Sequence, residues 1–164
     1  MAETTQPPTA SLAGKYLTFR LLNEEYGIEI LKVREIIGVM AITSLPRTPP
    51  FVRGVINLRG KVIPVIDLRK KFEMEVTGDT DQTCIIVVDV MIKGGNIQIG
   101  ILVDSVSEVL DILGEDIEEA PAFGTNIDTA FILGMAKAKG SVKILLNIEK
   151  VLSSAELENV AGMV

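Results

Sequence analysis

The chain has 164 residues, 48% of them hydrophobic but only 4% aromatic, with 16 Lys and Arg against 22 Asp and Glu for a net charge of -6. An interior of that make-up is built from Val, Ile, Leu and Ala, and the acidic balance argues against a nucleic-acid backbone binder, which carries a basic footprint. No histidine occurs, which excludes the commonest proton shuttle, Ser-His-Asp and Cys-His arrangements, histidine metal ligation and phosphohistidine transfer.

Met1–Ala13 is rich in Thr, Ser, Ala and Pro without periodicity and reads as a flexible tail. Tyr16–Leu22 and Tyr26–Ile30 read as strands around an Asn23-Glu24-Glu25 hairpin turn. Val33–Val39 suits either a helical face or a strand, and its β-branched content favours a strand. Pro46, Pro49 and Pro50 then impose an irregular connection. Arg53–Leu58 and Lys61–Ile66 form the next predicted hairpin, closed by Arg59-Gly60 with glycine at a positive-φ position. Pro64 cannot donate to a sheet ladder, so its strand is expected at an edge, or the residue at a bulge. Asp67 is placed to cap a short helix running to Phe72, and the same logic sets a helix after Asn147.

Thr83–Ile92 and Ile97–Val103 make a third hairpin across Gly94-Gly95, its first strand apolar enough for burial on both faces. Ser107–Ile112 reads as a further strand, and the acidic Glu115–Pro121 as a loop or single helical turn. Ala130–Lys137 and Val142–Leu146 supply a fourth hairpin. Ser153-Ser-Ala-Glu156 has the form of a capping box for a terminal helix through Val160. Many short strands with no dozen-residue crossovers predict an all-β architecture, and closure into two small packed β-barrels removes exposed edges.

Two weakly similar halves support that reading. Phe51–Phe72 aligns without a gap on Phe131–Leu152 at an offset of 80 residues, matching Gly54 to Gly134, Gly60 to Gly140, Val62 to Val142 and Asp67 to Asn147. Gly27–Ile37 aligns on Gly100–Leu110 at an offset of 73, so seven extra residues fall in the loop holding Gly114, Pro121 and Gly124. The expected organisation is a tail over 1–13, a domain over 14–152 with halves at about 14–80 and 81–152, and a C-terminal helix and tail over 153–164.

Chemistry-bearing patterns are sparse. The lone Cys84 excludes an internal disulfide, fits a reducing compartment and reads as a core residue. Asp111, Glu115, Asp116, Glu118 and Glu119 lack the alternation of a calcium loop and read as a solvated acidic face. Gly94-Gly95 has no phosphate-loop lysine, and Arg69-Lys70-Lys71 reads as a wet basic surface on a short helix. There is neither a secretory signal pattern nor an uninterrupted apolar run of about 18 residues. The expectation from the residues alone is therefore a soluble, non-enzymatic two-lobed β protein with no cofactor or metal.

Two polar residues point to recognition. Arg59 at a hairpin tip either pairs bidentately with a carboxylate, or spans an interface, or is an ordinary exposed turn arginine. Glu35, between Val33 and Ile36, either pairs with an arginine, Arg59 among the candidates, or faces water. Val33, Ile36, Val106 and Val109 fill the barrels, or line a groove suited to an amphipathic helix.

The stretch Glu25–Ile37, followed by Gly54-Val-Ile-Asn-Leu-Arg-Gly-Lys-Val-Ile-Pro-Val-Ile-Asp-Leu-Arg69, resembles the CheW family of bacterial chemotaxis coupling proteins. The likeness continues through Gly100–Val106 and Leu146–Leu152 and covers about Tyr16–Leu152. It implies two pseudo-symmetric SH3-like β-barrel subdomains with short helices, and an adaptor without catalytic activity. The implied partners are the cytoplasmic tip of methyl-accepting chemoreceptors and the regulatory domain of the chemotaxis histidine kinase. The implied setting is cytoplasmic, held to membrane receptor arrays through protein partners, with no nucleic acid and no membrane insertion. Family positions tied to partner coupling fall on Val33, Glu35, Gly54, Arg59 and Val109. The second hairpin departs from the family in its basic character, notably at Lys143, where an apolar residue is usual. The alternatives are an excised regulatory domain of a chemotaxis kinase and a small OB-like nucleic-acid-binding barrel, the latter opposed by the acidic balance and few aromatics.

Overall fold

A computed structural model describes residues 12–75, 78–92, 95–119 and 131–152. Among them are β1 (Gly14–Leu21), β2 (Glu24–Glu29), β3 (Val33–Gly38), β4 (Val52–Leu58), β5 (Lys61–Asp67), β6 (Cys84–Ile92), β7 (Gly95–Val103), β8 (Ser105–Ile112), β9 (Ile117–Glu118), β10 (Ile132–Ala138) and β11 (Ser141–Leu146). Two short helices, α1 (Leu68–Lys71) and α2 (Ile148–Leu152), come directly after β5 and β11. The Asp67 carboxylate accepts the Arg69 amide at 3.0 Å and Asn147 Oδ1 accepts the Lys150 amide at 3.2 Å, so both expected caps are formed. The expected terminal helix from Ser153, Pro121 and Gly124 of the inserted loop, and nearly all of the N-terminal tail lie outside the described residues.

The strands form two sheets, one ordered β8-β1-β2-β11-β10-β9 and the other β3-β6-β7-β5-β4. The five-stranded sheet comes from one continuous middle stretch of the chain and the six-stranded sheet from the two stretches that flank it, so the sheets do not divide near residue 80. Residues of β1 and β2 share a sheet with β8–β11, while β3–β7 make the other. The cause is a short parallel contact in each sheet, β5 with β7 from Val65↔Gly100 and β11 with β2 through Leu145↔Gly27. Each hairpin of one repeat is thereby bound to an upstream strand of the other. Among the described residues no long helix makes either parallel connection: β5 reaches β7 through α1 and β6, and β2 reaches β11 by way of β3–β10.

Register repeats as closely as sequence. Val52↔Ile66, Gly54↔Val65 and Leu58↔Lys61 in the first hairpin have the counterparts Ile132↔Leu146, Gly134↔Leu145 and Ala138↔Ser141 in the second. Even the irregularity recurs, between Val52 and Gly54 and between Ile132 and Gly134. Thr43 bridges Val55 in one sheet, and Glu118 pairs with the matched Met135 in the other.

The expectation for Pro64 is corrected: β5 lies between β7 and β4, not at an edge, and the bulge falls at Val52/Gly54. Counting from the closing Leu58↔Lys61 pair of a two-residue hairpin, Val55↔Pro64 is a non-hydrogen-bonded pair with respect to β4. The missing N–H therefore points toward β7, whose pairing with β5 begins only at Val65. Proline costs no ladder bond there.

Alternation of side chains across the strands divides the interior into three cores. In β6, Ile86, Val88 and Val90 face a large central core shared by the sheets, along with Phe19, Leu21, Ile28, Ile66, Ile101, Leu146 and Val151. Ile85 and Val87 face the opposite way, into a smaller core with Ile56, Ile63, Val65 and Leu102. The six-stranded sheet encloses its own cluster of Tyr16, Leu110, Ile112, Ile117, Ala136 and Leu145. The almost continuously apolar sequence of β6, broken only by Asp89, is thus explained by burial on both faces.

Candidate partner-binding surface

The tip of the β4–β5 hairpin is a two-residue turn with φ of 52° at Arg59 and 86° at Gly60, the geometry of a type I′ turn. Asn57 Oδ1 accepts the Gly60 amide at 2.8 Å and braces it. Glycine takes a positive φ freely, whereas arginine does so at a cost, so this turn holds a strained residue where Asn or Gly is favoured. The Arg59 side chain, 69% exposed, reaches across to Glu35 on β3 and forms an ion pair with it. Since β3 and β4 are opposite edges of the five-stranded sheet, the pair spans the gap between its first and last strands.

Glu35 reaches this position because β3 is irregular between Val33, which pairs with Val88, and Glu35, which pairs with Val87. The shift turns Glu35 to the side of Val87 and the small core, whereas Val33 packs against the central core. Val33 is accordingly half-buried rather than an open contact. Gly54 is set by backbone crowding: its φ is 138°, and an added Cβ would sit 2.0 Å from the Thr43 carbonyl oxygen. It is the residue that lets the 43–44 segment lie against β4. Val109 stands apart from the other four, exposed on β8 in the six-stranded sheet and paired with Leu17.

Val109 nevertheless belongs to a second version of the same arrangement. Lys139, the counterpart of Arg59, has φ of 51° beside Gly140 at 80°, and its Nζ lies 3.0 Å from Glu108. Glu108 is the counterpart of Glu35 at the 73-residue offset. Exposed Ile36 and Val62 at the first hairpin match exposed Val109 and Val142 at the second. Sequence reasoning overlooked Lys139 and Glu108, though the two offsets that located the repeat would have paired them.

Two of the described basic residues are buried. Arg69 is only 1% exposed, which corrects the reading of Arg69-Lys70-Lys71 as a wet basic surface. Its Nε and Nη2 contact the two Asp67 oxygens at 3.0 Å each, Nη1 reaches Asp104 at 2.6 Å and the Gly78 carbonyl at 3.4 Å, and Nη2 reaches Asp79 at 3.3 Å. Five acceptors thus meet the five N–H donors of the guanidinium. The hydrogen-bonded carboxylates outweigh the effect of burial and raise its pKa further, so the charge is permanent. Arg53 adds a second cation, 3.2 Å from Asp79, and through that hydrogen bond holds the Asp79 carboxyl below the usual carboxylate range.

Lys143, matched to the buried Ile63, is likewise inside, with Nζ 2.7 Å from Glu25 and 3.0 Å from the Ala138 carbonyl. Its hydrogen bond lowers the Glu25 pKa. Exposed Lys137 lies 2.5 Å from Glu118. The second hairpin is therefore less basic than its sequence, because Lys137, Lys139 and Lys143 each have a carboxylate partner. Cys84 is half-buried, and desolvation raises its thiol pKa, the opposite of an activated thiolate. Among the described residues, no cluster of three or more His, Cys, Asp or Glu could hold a metal ion, and no helix is long and apolar enough to cross a membrane.

Residues 15–156 match the family model for the CheW-like domain. The chain belongs to the CheW family. It is 43% identical over 150 residues to the chemotaxis protein CheW of Klebsiella aerogenes, covering 90% of this chain and 88% of that protein. Against CheW of Treponema pallidum the identity is 34%, over 90% of this chain and 86% of the relative. The crystal structure of the scaffolding protein TtCheW from Thermoanaerobacter tengcongensis superposes with a TM-score of 0.77 at 38% identity, covering 88% of this chain and 95% of that one. CheW-family membership makes the protein a non-catalytic chemotaxis adaptor that links receptors and kinase.

Proposed function

We propose that this adaptor joins the cytoplasmic tip of methyl-accepting chemoreceptors to the regulatory domain of the chemotaxis histidine kinase, in a receptor array at the inner surface of the membrane. The observation that carries the choice of surface is the strained, exposed Arg59 paired with Glu35 beside exposed Ile36 and Val62. Strain kept at an exposed position is consistent with use of the side chain elsewhere than in the fold. A guanidinium already held by one carboxylate can exchange it for a partner's, and nearby apolar side chains supply contact area. Val33, Glu35, Gly54 and Arg59 form the primary partner-binding set in this reading, with Glu35 and Arg59 making the contact, Val33 and Gly54 shaping the strands that carry them, and Val109 belonging to the duplicated hairpin end.

Each sheet with its own small core is read as one SH3-like barrel subdomain, the two related by pseudo-symmetry and exchanging strands. Support comes from the repeated registers and from the repeated cation–glutamate pair. Titration calorimetry with the isolated kinase regulatory domain and with a receptor tip fragment tests the function. Binding to both, with no ATP turnover and no phosphate accepted, is expected. Failure of both folded partners to bind would overturn the coupling role.

A further inference from the structure

The chain passes between the two sheets at only two places among the described residues, from β2 to β3 across Ile30–Lys32 and from β7 to β8 across Asp104. The repeat makes these crossings counterparts, yet they are built differently. At the first, Leu31 is 92% exposed. The Lys32 ammonium there meets Glu149 of α2 at 3.2 Å in a half-exposed pair. At the second, Asp104 is pinned to both sheets. Its Oδ1 accepts from the buried Arg69 guanidinium of α1, its Oδ2 accepts the Leu22 amide of the β1–β2 turn at 2.5 Å, and its own amide donates to the Arg20 carbonyl at 3.0 Å.

We infer that Arg69 and Asp104 are positioning residues that fix the orientation of one sheet against the other. The shared apolar core holds the sheets together, but apolar burial is non-directional and tolerates small rotations. A planar guanidinium saturated by carboxylates of fixed direction does not. The fork is anchored in the five-stranded sheet by Asp67 and, through Asp79, by Arg53, the neighbour of Gly54 in β4. Its Nη1, which also contacts the Gly78 carbonyl, reaches Asp104, the single residue of the second crossing. Compliance between the sheets is left to the Ile30–Lys32 crossing, where a half-exposed Lys32–Glu149 pair and one bond from the Met91 amide to the same carboxylate replace the five-acceptor fork. Resting on the adaptor reading, this clamp sets the relative placement of partners held on the two sheets.

The test places spin labels on the two sheets, at Glu24→Cys and Lys61→Cys in a Cys84→Val background, and compares the inter-label distance distribution with and without Asp104→Ala or Arg69→Lys. The parent protein is expected to give one narrow population. Both variants are expected to unfold cooperatively yet show an added or displaced population, Arg69→Lys included, because a point charge keeps the sign but not the fork. Parent-like distributions in both variants overturn the inference. So does a failure of Asp104→Ala to fold, since the contact would then hold the fold itself rather than its orientation. In the complete receptor–kinase assembly, Asp104→Ala is expected to bind each isolated partner as the parent does and to lose receptor-dependent activation by about fivefold or more. Undiminished activation overturns the functional half of the inference. A parent protein that binds neither partner defeats the adaptor reading alone, because the label distances still decide the clamp.

Discussion

Replacing Arg59 separates its cost to folding from its use in binding. The Arg59–Glu35 pair is exposed on the arginine side, and a surface pair is worth about 0–1 kcal/mol. Against it stands the φ of 52° at Arg59, a left-handed conformation that costs an ordinary L-residue about 1–2 kcal/mol. Arg59→Ala gives up the pair and keeps the strain, so it should lower stability by about 1 kcal/mol or less. Arg59→Asn gives up the same pair but places a residue that tolerates the turn, so its stability should equal or exceed the parent's. Urea unfolding gives this ordering. If a partner buries the guanidinium, both variants should lose about 2–5 kcal/mol of binding. The lower figure is about a 30-fold loss of affinity in calorimetry. Glu35→Gln, alone and combined with Arg59→Asn, then shows whether the two residues act as a unit or additively. Parent-like affinity and kinase activation in Arg59→Asn would return Arg59 to an ordinary turn residue, and loss of several kcal/mol of stability in Arg59→Ala would make its role structural.

Gly54→Ala should cost about 3 kcal/mol or more, since the new Cβ would meet the Thr43 backbone and the φ is unfavourable for alanine; a near-parent thermal midpoint would refute the close approach. Lys143→Ala leaves Glu25 without its main partner and should destabilise by about 1–3 kcal/mol. The paired change Lys143→Ile with Glu25→Gln should recover most of that loss, because an apolar replacement for a buried ion pair is often neutral, and no recovery in chemical denaturation would count against it. Stability should also fall on the acid side. Glu25, Asp79 and Glu149 have folded pKa values below their ordinary 4.5, 3.8 and 4.5, through Lys143, Arg53 and the Met91 amide respectively. Their contributions are present above those ordinary values and are lost as pH falls through the lower folded ones. An acid limb of the denaturation profile unchanged in Glu25→Gln and Asp79→Asn would contradict that assignment. At the other extreme, burial pushes Tyr16 up to about 12, so its contribution is present below the ordinary value of 10.0 and disappears as pH rises through about 12.

Local features of the fold were legible because their causes are local. Arg59-Gly60 flanked by β-branched runs dictates a tight hairpin, Asp67 and Asn147 cap the short helices α1 and α2, and the almost wholly apolar β6 announces a strand buried on both sides. What escaped was decided by distant partners. Nothing near Pro64 says that β5 lies inside a sheet, because β7 arrives from further along the chain. Nothing near Arg69 or Lys143 says that Asp104 and Glu25 wait to receive them. A cation reads as a surface residue until topology delivers its carboxylate. The Glu35–Arg59 pair was within reach only as one option, since a bulge, which sequence does not mark, decides which way Glu35 faces.

The duplicated hairpins keep their backbone and change their chemistry. Ile56 and Ile63 fill the core of one sheet where Ala136 and Lys143 stand in the other. The smaller alanine and the long polar-tipped lysine leave that core less apolar, and Lys143 reaches out along it to Glu25 and the Ala138 carbonyl. At the foot of the hairpins, Arg69 faces Asp104 while its counterpart Glu149 faces Lys32, one residue beyond Leu31 at the position matching Asp104, so the sign of charge at this place on the short helix is reversed. At the tips, the fork of Arg59 is replaced by the point charge of Lys139, each beside a glutamate in the same place. Shape is therefore nearly common to the two ends while hydrogen-bonding capacity is not. A carboxylate that pairs bidentately with guanidinium distinguishes them, whereas an apolar contact with Val62 or Val142 does not. On the proposed reading, discrimination between two partners by one repeated scaffold rests on its polar tips, and exchanging Arg59 and Lys139 in a double variant should shift partner preference without disturbing either sheet. Equal affinities for each partner before and after the exchange would show that the tips carry no such discrimination.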